Sequence, residues 1–178
     1  MKRRLSDFSG LTILENLVFN DGRGDLKKIQ LPMDNFFDSA ICSNNTSSGT
    51  VRGLHFQNQP YGETKIVSCL RGEMIDFIVD MRANSETFGD WTEVRLSSSL
   101  PNSLLIPEGF AHGYQTLEDS TTVLYLISGL YNADNALVMD IQDQDLGIIL
   151  PLEITEISPR DIEGESFRDL QEKINFKK

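Results

Sequence analysis

Only two imidazoles are available to a chain of 178 residues: His55 in VRGLHFQ (51–57) and His112 in PEGFAHG (107–113). A neutral imidazole with a pKa near 6.5 can take and return protons at neutral pH, and it can also ligate a metal. Other groups with chemical capacity lie nearby in sequence. Arg52 stands three residues before His55, Lys65 opens the next β-type run ten residues on, and Tyr125 shares a strand face with Val123 and Ile127. If the strands close into a barrel, Arg52, His55, Lys65, His112 and Tyr125 could converge. Each residue also fits ordinary packing. A strand histidine is often simply hydrogen-bonded in place, a strand tyrosine is amphipathic core, and a lysine at a strand start is a solvated edge charge. Gly109 and Gly113 could do no more than make turns. Residue types alone leave the chemistry open.

The elements that must position these groups are β-strands. KIVSCL (65–70), MIDFIVDM (74–81), WTEVRL (91–96), SLLIP (103–107) and TTVLYLI (121–127) follow one another, separated by Gly-, Pro-, Asn- and Ser-rich breaks. Short β-runs at that spacing predict an antiparallel sandwich or barrel. Further strands are expected around LTILENLVF (11–19), and a loop at SNNTSSG (43–49). A helix is expected over 158–174, where Ile162, Phe167, Leu170 and Ile174 form a stripe interrupted by Gly164. In 74–81 the two-residue period places Asp76 and Asp80 on one face with Met74 and Ile78. A carboxylate pointing into a barrel is costly unless paired, so the misfit predicts a polar, ligand-binding interior.

Composition narrows the classes of partner. The net charge of −11 argues against non-specific nucleic-acid binding, though a local Arg and Lys cluster can still hold an anionic small molecule. No apolar run approaches the roughly 20 residues that span a bilayer, and no apolar segment follows the basic MKRRL to make a secretory signal. Cys42 and Cys69 do not form a CxxC pair, and two free thiols fit a reduced, cytoplasmic setting. The length fits one domain over 1–178. Its N-terminal strands and arm occupy 1–50, the barrel core 51–150, and a C-terminal segment and helix 151–178.

Order and spacing carry the argument further. VRGLHFQ, a lysine ten residues after the histidine, RGEMIDFIVDMR (71–82), SETFGDW (85–91), IPEGFAHGY (106–114), VLYLISGLY (123–131), DQDLGI (143–148) and ISPRD (157–161) occur in sequence. Together with FNDGRGDL (19–26) they resemble the dTDP-4-dehydrorhamnose 3,5-epimerase family, over roughly residues 11–161. The resemblance implies an all-β, cupin-type jelly roll with a few short, mainly C-terminal helices. It also implies a homodimer formed partly through the N-terminal segment, and no metal or organic cofactor. The implied substrate is a nucleoside-diphosphate 4-keto-6-deoxy sugar, inverted at one or both carbons beside the ketone.

In that family's terms His55 is the base, Asp161 its orienting carboxylate, Tyr125 the acid on the opposite face, and Lys65 the cation at the ketone oxygen. Arg52 matches a position near the same oxygen and Arg23 a diphosphate contact. Gln57, Asp76 and His112 match the substrate pocket, and Tyr131 an aromatic beside the base. The chain departs from the family pattern at Leu26, Lys28 and Glu63, where the last replaces a usual Gln, and in the stretch 132–143, which places Ala136, Leu137 and Ile141 where the family has Glu, Arg and Trp. Two other readings fit parts of the pattern. The P-x-G-x-x-H spacing of PEGFAH suits a metal-dependent cupin with a two-His, one-carboxylate set. The altered 132–143 stretch suits a sugar-nucleotide-binding jelly roll without catalysis.

Overall fold

The computed structural model describes residues 1–32 and 37–174. In chain order its strands are β1 (Thr12–Glu15), β2 (Leu17–Asp21), β3 (Gly24–Lys28), β4 (Ser39–Asn45), β5 (Thr50–Gln57), β6 (Lys65–Arg71) and β7 (Glu73–Asp80). There follow β8 (Trp91–Ser97), β9 (Asn102–Ile106), β10 (Phe110–Thr116), β11 (Thr121–Ile127), β12 (Ala136–Val138) and β13 (Glu156–Ile157), then helices α1 (Pro159–Ile162) and α2 (Phe167–Lys173). One sheet runs β1-β9-β6-β11-β4. The facing sheet runs β12-β5-β10-β7-β8, with β13 added in parallel beside β5. This is the expected all-β jelly roll, and the five β-runs of the middle of the chain fall on β6, β7, β8, β9 and β11. No helix among the described residues is long and apolar enough to cross a membrane.

Strand β7 is buried on both faces because it divides two apolar clusters. Met74 and Ile78 point between the sheets, packing with Val67, Leu104, Tyr114 and Val123. Phe77 and Val79 point the other way, under a cover made by Met139, Ile141, Leu146, Leu170 and Ile174. The two aspartates that break the alternation are both fully buried, and they have different fates. Asp80 is satisfied by Arg82 at 2.7 and 2.8 Å and by the hydroxyls of Ser85 and Thr87, each at 2.6 Å, so it is a structural anchor. Asp76 bonds His112 instead, and its Oδ2 has no hydrogen-bond partner.

A β-bulge fixes the direction of the chemical groups. Across β5 and β10, His55 pairs with His112 and Arg52 with Tyr114, so three steps on β5 match two on β10. The extra residue brings Arg52 and His55 onto one side, where strict alternation would part them. Glycine is needed on both strands at this point. Gly53 has φ +113°, and a Cβ there would lie 2.6 Å from Gly113 Cα; a Cβ on Gly113 would lie 2.5 Å from the Arg52 carbonyl oxygen.

Three local expectations differ from the structure. The segment 43–49 is not all loop, because β4 continues through Asn45 and pairs in full register with β11. The helix expected over 158–174 is two short helices, split where Met139 bridges Glu165. Leu170 and Ile174 of its stripe are buried, whereas Ile162 is 63% exposed. Gly164 packs so closely on the backbone of Met139 and Asp140 that a Cβ would lie 2.7 Å from Asp140 N. The N-terminal strands also divide: β1 joins the first sheet, but β2 and β3 form a hairpin paired with neither sheet.

Candidate active site

The site begins with the motif SPRD. Ser158 caps α1, its hydroxyl accepting the Asp161 N–H at 3.1 Å, and Pro159 occupies the first turn, where its missing donor costs nothing. This short capped turn holds Asp161 against β5. There Oδ1 lies 2.7 Å from His55 Nε2, and Oδ2 accepts the Gly53 N–H at 3.3 Å. Burial works to raise the Asp161 pKa, but the hydrogen bond from His55 and those from Gly53 and Ser158 outweigh it and hold the group below its ordinary value. A carboxylate that accepts from Nε2–H leaves the lone pair on Nδ1, the nitrogen available for proton abstraction.

His55 borders two adjoining cavities. The inner one, of about 220 Å³, is walled by Arg52, His55, Lys65, His112, Tyr125 and Ile41 among others. Its walls come from both sheets: β5 and β10 on one side, β4, β6 and β11 on the other. Tyr125 packs edge-on to His112 at 6.0 Å between ring centroids and lies 6.4 Å from the Tyr114 ring. Desolvation, followed by the proximity of Tyr114 and Asp76, pushes the Tyr125 pKa well above the usual phenol value, so the hydroxyl keeps its proton. His112 Nδ1 donates to Asp76 Oδ1 at 3.2 Å. Burial lowers its pKa, partly offset by the Asp76 charge. Arg52 Nε donates to Asn45 Oδ1 at 2.9 Å, which fixes the guanidinium at the cavity wall.

The outer cavity, of about 260 Å³, shares His55 and Lys65 with the inner one and extends past Gln57 to Tyr131 and Arg160. The sequence convergence of Arg52, His55, Lys65, His112 and Tyr125 is therefore met in one cavity. Gln57 lines the outer cavity but has its amide committed: Nε2 donates to the Tyr61 and Leu130 carbonyls and Oε1 accepts the Asn132 N–H at 2.6 Å. It shapes the loop that carries Tyr131, which is 67% exposed at the cavity rim. Asp76 is displaced from the expected wall position and sits behind His112. Arg23 is not brought to the site at all. It lies on the β2–β3 hairpin, paired with Asp21 at 2.6 Å, its side chain 92% exposed.

Three contributors were not singled out from the sequence. Arg160, next to Asp161 in the same motif, puts a second cation on the outer cavity while donating to the Ala136 carbonyl at 3.2 Å. Its position one residue before the dyad carboxylate was the available signal. Ile41 and Ser43 come from β4, whose C-terminal part reads as a polar loop. Among the described residues no group of three or more His, Cys, Asp or Glu side chains is arranged to hold a metal ion. The two histidines are each tied to an aspartate, and Glu63 to Lys65.

Comparison with known proteins gives this geometry a family. The sequence pattern that defines dTDP-4-dehydrorhamnose 3,5-epimerases matches residues 6–169. The chain belongs to the dTDP-4-dehydrorhamnose 3,5-epimerase family. The Shigella flexneri epimerase of that name is 33% identical, over 92% of this chain and 94% of its own. Among solved structures, the Bacillus anthracis family member with TDP and pyrophosphate bound superposes with a TM-score of 0.85 at 32% identity, covering 89% of this chain and 95% of that one. A Legionella pneumophila epimerase in complex with dTDP-4-keto-L-rhamnose gives a TM-score of 0.82 at 31% identity, covering 90% of this chain and 88% of that one. As a member of this epimerase family the chain is an isomerase-class protein with the family's jelly roll.

Proposed function

We propose that this protein epimerises a dTDP-linked 4-keto-6-deoxy sugar at C3 and C5, the carbons on either side of the ketone. Loss of a hydrogen beside a carbonyl gives an enolate, so one base and one acid on opposite sides of the ring suffice to invert a centre. His55 Nδ1 takes the proton, and Asp161 fixes the tautomer and stabilises the imidazolium that forms. Lys65 and Arg52 place positive charge where the enolate oxygen develops. Tyr125, kept protonated by its surroundings, returns a proton from the other face. Arg160 suits the diphosphate through its planar donor fork, and Tyr131 the base. His112, steadied by Asp76, contributes a hydrogen-bonding wall.

One observation carries the reading: a carboxylate-oriented imidazole on one sheet and a partly buried phenol on the other border the same cavity, beside two cations. No bound metal or organic cofactor enters these steps. Arg23 acts at a diphosphate only if its hairpin reaches a second copy of the chain, and the hairpin exposes Leu17, Val18, Phe19 and Leu26, an apolar set suited to such a contact. A cytoplasmic homodimer follows from this reading, with Cys42 and Cys69 both free.

His55→Ala tests the proposal directly. In heavy water with the dTDP-4-keto sugar, the wild-type protein incorporates deuterium at both carbons. The variant loses this exchange while retaining nucleotide affinity, because the base acts in the transition state. Retained exchange in the variant would overturn the assignment, and binding without exchange in the wild-type protein would make it a sugar-nucleotide-binding jelly roll.

A further inference from the structure

Where the two cavities meet, Lys65 Nζ and Glu63 Oε2 are 3.3 Å apart, and each side chain is only 10% exposed. Lys65 borders both cavities, whereas Glu63 borders only the outer one. The carboxylate therefore grips the lysine from the outer side and leaves its remaining N–H donors free to turn inward. We propose that Glu63 is a positioning residue, holding the Lys65 ammonium charged and in place at the junction of the cavities.

The surroundings of Lys65 in this chain favour such support. Lys65 shares the inner cavity with His112 from β10, His55 and Arg52 from β5, and Tyr125 from β11; the Asp76 charge reaches it from β7, and β9 pairs it with Ile106. Arg52 repels a second cation, and so does His55 once it holds a proton. The Asp76 charge also acts on Lys65, but without a hydrogen bond to it: Oδ1 bonds His112, and Oδ2 has no hydrogen-bond partner. Desolvation pulls the Lys65 pKa down, and Glu63 opposes this more strongly than Asp76 does. A paired ammonium still presents positive N–H groups to an enolate. A neutral amine stabilises it far less, so a lysine stripped of its proton by burial would defeat its own purpose. The inference rests on the reading that Lys65 serves the ketone oxygen, yet its electrostatic half can be tested apart from that reading.

Glu63→Gln keeps the shape and removes the charge. The protein is labelled with ¹³C at the lysine ε-carbons, and the Lys65 resonance is identified by its loss in Lys65→Arg. The Lys65 signal titrates at lower pH in E63Q than in the wild-type protein, and the alkaline limb of the kcat profile moves in the same direction. Above that limb E63Q is slower by on the order of 10²-fold, the cost of one lost oxyanion-stabilising group. Glu63→Asp, with a shorter reach, moves both in the same direction by less, and it carries the test if E63Q does not fold. An unmoved Lys65 titration overturns the inference even when the protein epimerises normally. A moved titration in a protein that epimerises nothing upholds the ion pair's role while removing the proposed function.

Discussion

Replacing Asp161 by Asn isolates the contribution of one charge. The residue is 4% exposed, its Oδ1 is 2.7 Å from His55 Nε2, and its Oδ2 accepts the Gly53 N–H. An amide oxygen can still accept from Gly53, so the backbone anchor survives. What disappears is the negative partner of the imidazolium. Hydrogen bonds to charged groups contribute about 1.5–3 kcal/mol, and each 1.36 kcal/mol is tenfold in rate, so kcat falls by about 10- to 150-fold. The amide NH₂ also faces Nε2 as a donor, which drives the ring proton onto Nδ1 and removes the lone pair from the substrate side; this adds to the loss. The assay is initial-rate epimerisation followed by NMR, with solvent deuterium incorporation measured in parallel. KM stays close to wild type because the interaction is made to the base and not to the sugar. A kcat within threefold of wild type, or a loss confined to KM, would refute the view that Asp161 works through His55.

Two other outcomes are expected. Tyr125→Phe lowers net inversion more than deuterium exchange, because the base persists while the opposite-face donor is gone; equal loss of both, read from the same NMR spectra, contradicts the acid role. Asp80→Ala leaves Arg82, Ser85 and Thr87 without their common acceptor and costs about 3 kcal/mol, a fall in Tm of roughly 6–12 °C by scanning calorimetry. For Asp80, burial acts upward, but the bonds from Arg82, Ser85 and Thr87 prevail, so its folded-state pKa lies below the ordinary 3.8. Its stabilisation is thus complete above pH 3.8 and is lost as pH falls through the lower folded value, and D80A shows a shallower acid decline than the wild-type protein.

The strands of the middle of the chain were legible because their apolar alternation answers directly to the sandwich core. Asp76 and Asp80 were legible as misfits but not as opposites. Only the surroundings separate a carboxylate met by Arg82, Ser85 and Thr87 from one that steadies a histidine. The bulge was not legible, since RGLH gives no sign that three residues of β5 will span two of β10. Without it, Arg52 and His55 would face apart. β4 was hidden for a different reason: SNN is a poor strand sequence by propensity, and pairing with β11 overrides that preference. Arg23 could be matched by motif, but no feature of sequence spacing tells whether a hairpin reaches its own pocket.

His55 and Tyr125, the proposed base and acid, belong to different layers of the sandwich. Sliding of strands within one layer leaves the gap between them nearly unchanged, whereas a slight splaying of the layers widens it at once. Turnover is thereby tied to how tightly the two layers are clamped, and a loosened but still folded molecule would stall before it came apart.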